Sequence, residues 1–539
     1  MPESKALIFS CKRRHFFLHL SHNLRKFILK RLSRRERALF SPTIAKVNTT
    51  KEAASKQNTK VKDNWLVSFF HIKERNSTIG REVRGGFVTF LSMVYILVLN
   101  PIILSGPDST GGFLGGGSEA NIPAIAAATA LVAGVMTILM GAAANFPLAL
   151  AAGLGLNSVV AYTIVQLPGM TWADGMGVIV LEGIVIVLLV LTGLREAIFR
   201  AIPKFLRTAI SVGIGLFVAL VGFANAGIVK GNKEGPTLMN FGNAGSIDTW
   251  PLVVFILGAF ITLVLMLRKI PGAILLGILS STIIAFIAEA VGGIGPKGEE
   301  NLGGWAGSVP TISDSLVQFP QFSTLGQFSL IGPFQKLGVI AVVVLAFSVM
   351  LADFFDTMGT MVAVASEGDL LDADGNPPRT RAILLIDSIA AIAGGMGGVS
   401  SNTSFVESTS GVADGARTGL ASVVTGILFL LSTFLAPLVS LVPSEAAATA
   451  LVAVGVLMVR SVGDITWDDF SAAVPAFFTI VFMPFGYSIT VGIGAGFISY
   501  VIMKVAAGQA RKVHPLMWIV AVMFVLYFVM GPIQQILFS

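Results

Sequence analysis

The chain has 539 residues, of which 54% are hydrophobic and 12% charged, and its formal charge is +7. Soluble domains are about a quarter charged, so this chain lacks the polar surface that a soluble fold of its length needs; lipid is its expected solvent. The single cysteine, Cys11, excludes internal disulfides and a cysteine metal site. The five histidines all fall outside the apolar stretches, so no metal is expected in the membrane. Most of the positive charge lies before residue 63, as in a cytoplasmic tail. That placement argues against nucleic acid as a partner.

Taken in chain order, residues 1–80 read as a basic, disordered cytoplasmic tail; residues 16–32 could instead form a basic amphipathic helix on an anionic leaflet. Apolar stretches then follow at 87–105, 122–145, 148–166, 175–193, 207–224, 250–267 and 271–292. After a polar stretch at 293–335 come 337–357, 381–397, 403–412, 419–441, 446–459, 470–485 and 486–504. The segment 506–539 adds one apolar stretch at 515–532, either spanning or interfacial. Lengths near 20 residues predict membrane-spanning helices. Two stretches do not suit a continuous span. The third carries Gly-Leu-Gly-Leu-Asn157 and the tenth carries Ser-Ser-Asn-Thr-Ser404, so both are expected as short helices that end inside the membrane.

Lysine and arginine cluster in alternate loops, including those at 195–207, 268–269, 379–381 and 504–512. With the N-terminus cytoplasmic, fourteen spans satisfy this pattern. The third and tenth spans are seven apart, and the run after Lys269 resembles the run after Pro484. Seven is odd, so two such halves insert upside down relative to each other. Inverted repeats with paired broken helices are the pattern of secondary transporters. The expected fold is therefore an all-α polytopic membrane protein of about fourteen helices in a 7+7 arrangement.

Acidic residues inside the spans are few, and a carboxylate there is costly unless protonated, paired or hydrated. Asp353 and Asp356 are three apart, with Thr357 and Thr360 continuing the same helical face. Glu407 follows the Ser/Thr/Asn run of the tenth span, where a short helix should begin with free N–H groups toward a cavity. Burial opposed by a helix dipole suits a group that takes up and releases a proton. Asn157 offers a donor and an acceptor on the matching broken span. Tyr95 and Phe405 could stack on a planar ligand, and Glu182 and Asp387 are either helix–helix contacts or coupling groups. A cavity with carboxylates and no basic residue disfavours an anion. The residues alone point to a proton-coupled carrier of a small polar solute that is uncharged or cationic.

Gly85-Gly-Phe-Val-Thr-Phe-Leu-Ser-Met-Val-Tyr95, Asn100-Pro101, the Gly-Leu-Gly-Leu-Asn157 run, Asp353-Phe-Phe-Asp356-Thr-Met-Gly-Thr360 and Thr403-Ser-Phe-Val-Glu407-Ser with Arg417-Thr-Gly419 together resemble the AzgA-like purine permeases. These belong to the nucleobase–ascorbate transporter superfamily, and the resemblance covers residues 74–535. It departs at Phe-Leu-Ser-Met, where Phe-Phe-Thr-Met is more usual, and in the long basic tail. The resemblance implies a transporter at 81–505, with a core domain (83–193 and 337–441) moving against a gate domain (196–292 and 444–505). It implies import of hypoxanthine, guanine or adenine by proton symport across the plasma membrane, with no cofactor beyond the proton gradient. By motif, Asp353 and Glu407 would hold the base and Asn157 would support the site. Backbone groups of Ser404 and Phe405 would contribute, and Asp356, with Glu407, would serve proton coupling. Related carriers commonly pair through the gate, so a homodimer is one expected assembly.

Other classes fit less well. A uracil or xanthine carrier of the same fold is separated only by substrate. An anion carrier of this architecture would place basic or neutral residues where Asp353 and Glu407 stand. An intramembrane aspartyl protease would show Gly-x-Gly-Asp and Tyr-Asp elements that this chain lacks, so no enzyme activity is expected.

Overall fold

The computed structural model of the chain describes residues 65–193, 201–231, 239–242, 246–298, 301–306, 308–311, 317–372 and 376–529. Up to residue 64 the expectation for the basic tail lies outside the described residues, as do the loop at 194–200 and the end of the apolar stretch at 515–532. Residues 65–80, expected as disordered tail, are instead structured, with a helical turn at Trp65–Phe69 and Arg75 donating to the carbonyls of Asn145 and Arg417 at 2.8 Å. Residues 69–529 belong to one unit. The helices are α1 (Ile79–Ile103), α2 (Ile122–Ala144), α3 (Leu154–Ile164), α4 (Trp172–Thr192), α5 (Lys204–Asn225), α6 (Trp250–Leu267) and α7 (Ala273–Gly292). The second half contributes α8 (Gly332–Glu367), α9 (Thr380–Gly397), α10 (Ser408–Ala413), α11 (Gly419–Leu441), α12 (Ser444–Asp464), α13 (Phe470–Phe485) and α14 (Ile489–Ala506). A last helix, α15 (Pro515–Phe528), packs on α14 and α8.

Every predicted apolar stretch thus corresponds to a helix or a broken segment. Eleven of the described helices are long and apolar enough to cross a membrane. The exceptions are the two broken segments, the 16-residue α13 and the 14-residue α15. Many helices keep apolar side chains turned outward, among them Phe260, Leu267, Ile283 and Val291 on α6 and α7. An outward apolar face is stable against hydrocarbon, not water. The protein is a multi-pass membrane protein.

The packing repeats under a shift of seven helices. α2 lies against α11 and α4 against α9; α1 lies against α11 and α4 against α8. Likewise α6 lies against α12 and α5 against α13, while α6–α7 matches α13–α14. Two groups result, α1–α4 with α8–α11 and α5–α7 with α12–α14, and packing between them is sparser than within them.

The repeat is inverted, and the backbone shows this directly. Strand β1 (Leu150–Ala152) precedes α3, and its counterpart β4 (Asn402–Ser404) precedes α10. They pair antiparallel, with Leu150 opposite Ser404 and Ala152 opposite Asn402. Equivalent strands therefore run in opposite directions. A second ribbon, β2 (Val229–Gly231) with β3 (Met239–Phe241), is peripheral.

Several sequence motifs acquire a physical reason here. Gly85 faces Ala416 and the carbonyl of Gly411, so α1 meets the α10–α11 junction at a distance no larger side chain permits. Thr425 Oγ1 donates to Gly86 O at 2.8 Å across the same contact. Buried Glu82 of α1 accepts the N–H groups of Arg417 (2.9 Å) and Thr418 (3.1 Å), satisfying donors at the start of α11. Between α1 and α2, the carboxylate of Asp108 accepts from Thr110, Gly112 and Trp172 N–H groups at 2.9–3.0 Å. Burial would raise that carboxyl, but these bonds and the Thr110 hydroxyl outweigh it and hold it below the usual range.

Candidate functional site

The β1–β4 ribbon is buried, so each of its backbone groups needs a partner. Phe405 N donates to Ala149 O and Gly153 N to Ser401 O, both at 3.0 Å. In an antiparallel pair such bonded positions alternate with positions whose N–H and C=O turn away from the partner strand. Leu150 and Ser404 are therefore outward-turned. On one edge Thr137 closes the gap: Leu150 N donates to its Oγ1 at 2.9 Å, and that hydroxyl donates to Leu150 O at 3.0 Å. Ser404, on the other edge, borders a cavity.

That cavity, about 110 Å³, lies where α1, α3, α5, α8, α12 and the β4–α10 segment converge. The first helix group contributes Tyr95, Gly153, Gly155, Phe355, Asp356, Thr360, Ser404, Phe405 and Glu407 to its wall. The facing wall is Ile210, Ser211 and Ile214 of α5 with Val454 and Met458 of α12. The Tyr95 hydroxyl donates to Glu407 Oε1, fixing the carboxylate from a residue 312 positions away in sequence. Neither an anchored carboxylate nor Asp356 across from it is an N–H donor, so together they form an acceptor edge suited to the donor edge of a planar heterocycle.

The structure places the expected residues unequally. Glu407, Ser404 and Phe405 border the cavity, as does Asp356. Asp353 and Asn157 do not; both are fully buried behind it. Three residues along a helix amount to a turn of about 60° on the helical wheel. That offset is enough to aim Asp356 into the cavity, while Asp353 faces Glu182 of α4 beside Ser401. Asp387 acts as a helix–helix clamp. It accepts from Thr357 Oγ1 and Ser404 Oγ, each at 2.8 Å, and so ties α8, α9 and β4 together.

One expectation is narrowed. The N–H groups at the start of the tenth segment are only partly spoken for, and those of Ser404, Val406 and Glu407 make no hydrogen bond to another residue among the described residues. Phe405 N is spent on Ala149 O, and Ser408, Thr409 and Ser410 donate to the carbonyls of Phe405, Val406 and Glu407 at 2.9–3.1 Å. Glu407 also stands just before α10 rather than within it. The tight turn at 405–410 uses the donors of 408–410 and leaves those of Val406 and Glu407 open. Among the six aromatic or hydroxyl residues on the walls, Phe355 and Ser211 escaped sequence reading. Each looks like an ordinary helix residue, and only the helix rotation turns it inward.

The Permease family pattern (Xan_ur_permease) matches residues 80–495. The chain is 39% identical to the guanine/hypoxanthine permease PbuG of Bacillus subtilis (strain 168) over 467 residues, covering 86% of this chain and 99% of that one. It is also 39% identical to the adenine permease AdeP of Escherichia coli (strain K12) over 463 residues, covering 86% and 95%. Among solved structures, the transmembrane domain of the cyanobacterial bicarbonate transporter BicA has the same fold. It gives a TM-score of 0.52 at 15% identity, over 79% of this chain and 97% of that one.

Proposed function

Because the chain belongs to the Permease family, whose pattern covers residues 80–495, we propose that it imports purine nucleobases (hypoxanthine, guanine or adenine) by proton symport across the plasma membrane, with its N-terminus cytoplasmic. The purine assignment rests on relatives named for guanine, hypoxanthine and adenine. The observation that carries the mechanism is the cavity at the crossing of the two broken segments, bordered by Glu407 and Asp356.

In this reading the base lies between the helix groups, with its N–H edge on the Glu407 and Asp356 carboxylates. Tyr95 orients Glu407. Phe355 and Phe405 supply apolar surface for the ring. Asn157 supports the α3 side from behind. A proton taken up with the base would neutralise one of the two carboxyls, since two like charges on one cavity wall disfavour double ionisation. Asp353 and Glu182 form a second acid layer behind the ribbon, able to hold that proton once the site is empty. The helix groups act as core (α1–α4, α8–α11) and gate (α5–α7, α12–α14). The sparser packing between them supports motion of one against the other.

Uptake of radiolabelled hypoxanthine, guanine, adenine and uracil in transport-deficient cells tests this. The reading expects purine entry that a protonophore stops. Entry of uracil alone, or purine entry unaffected by the protonophore, would replace the substrate or the coupling respectively.

A further inference from the structure

The two walls of the cavity differ sharply in chemistry. The α5–α12 wall is Ile210, Ile214, Val454 and Met458, and its sole polar side chain is Ser211. Many helix hydroxyls elsewhere in this molecule donate back to the carbonyl four residues earlier, as Ser158, Thr208, Thr262, Ser281, Ser348 and Ser388 do at 2.7–3.2 Å, although Ser92 and Thr490 do not. That closure is the default for a hydroxyl in an apolar helix, because it satisfies the donor without a neighbour. Ser211 makes no such bond and has no protein partner among the described residues, although Thr208 on the same helix closes on Lys204 O. Ser211 lies on the cavity wall, where a ligand can meet its hydroxyl.

We propose that Ser211 is a specificity-determining contact: its hydroxyl meets the edge of the base opposite the carboxylates and so favours purines that carry an exocyclic oxygen or amine there over those that carry none. This rests on the reading that the cavity holds a purine. With the N–H edge held by Glu407 and Asp356, the remaining edge meets a wall where all other side chains are apolar. A rotatable hydroxyl can donate to an exocyclic oxygen or accept from an exocyclic amine. A hydroxyl therefore admits both oxo- and amino-purines, while an apolar replacement leaves either substituent without a partner. An unsubstituted ring has nothing to lose there.

The experiment measures inhibition of labelled-substrate uptake by hypoxanthine, guanine, adenine and unsubstituted purine in wild type, Ser211→Ala and Ser211→Thr, each normalised to surface abundance. Loss of one hydrogen bond predicts that Ser211→Ala weakens bases bearing an exocyclic group by about 5- to 10-fold. Unsubstituted purine should be unchanged, and Ser211→Thr should restore the original ranking. Unchanged affinities throughout, or an equal shift for unsubstituted purine, would overturn the proposal while leaving purine transport intact. If wild type takes up no purine, the underlying reading falls, whatever Ser211 does. Should Ser211→Ala fail to reach the surface, recovery of ranking in Ser211→Thr against its loss in Ser211→Val decides the question.

Discussion

The third and tenth segments share one backbone plan and carry different chemistry. Each is a three-residue strand followed by a short helix, and the two strands pair with each other antiparallel. The third segment brings small and apolar residues to the cavity: Gly153, Leu154, Gly155 and Leu156. The tenth brings Ser404, Phe405, Val406 and Glu407. Repetition of the backbone therefore builds the crossing, and divergence of side chains divides the labour. One segment presents a smooth surface toward α5, and the other presents a carboxylate anchored by Tyr95.

The sharpest way to break this comparison is to remove the charge from the tenth segment. Glu407→Gln keeps the shape but loses the ionised acceptor, and purine uptake per surface molecule is expected to fall about 100-fold. Next comes the smooth surface. A Cβ on Gly155 would stand 2.6 Å from Ile214 Cγ2, so Gly155→Val should obstruct both the cavity and the passage of the first helix group past the second. We expect roughly tenfold slower uptake with little loss of protein, because crowding in a tight contact typically costs about 1–3 kcal/mol.

Asp387 tests the scaffold rather than the site. Asp387→Ala strips the acceptor from Thr357 and Ser404, and burying an unsatisfied hydroxyl costs about 1–3 kcal/mol. A lower unfolding temperature of the purified protein, with reduced abundance in cells, is the expected result. Unaltered stability would mean the clamp is dispensable. The smallest effect is expected from the third segment's own amide. Asn157 lies behind the cavity wall, so Asn157→Ala should change KM by only about 2- to 5-fold, the scale of a neutral hydrogen bond at most. A loss as large as that of Glu407→Gln would place Asn157 against the substrate instead.

Much of the architecture was readable because membrane helices write themselves as length and hydropathy. The broken segments were visible as glycine and hydroxyl runs where leucine and valine should stand. Their pairing was suggested by the spacing of seven, and the antiparallel ribbon makes it concrete. Within the site, Glu407 was readable as an acid where burial forbids one without purpose. Which of Asp353 and Asp356 borders the cavity was not. Both satisfy the same face argument, and the rotation of α8 against its neighbours is fixed by packing that no local pattern records. The Tyr95–Glu407 bond joins residues 312 apart, and Ser211 is set apart only by a bond it does not make. The number of open donors at the start of α10 was unreadable for a related reason. How far a helix end is open depends on the turn before it, and here that turn uses the amides of 408–410 and spares those of Val406 and Glu407.

Equilibrium binding of labelled hypoxanthine and guanine to the purified, detergent-solubilised protein tests the central claim most directly, with wild type and Glu407→Gln compared at the same pH. The account predicts saturable binding by wild type and at least about a tenfold weaker affinity in a folded Glu407→Gln protein. Equal affinity in the two proteins would contradict it, because the cavity at the crossing of the broken segments would then not be where the base is held.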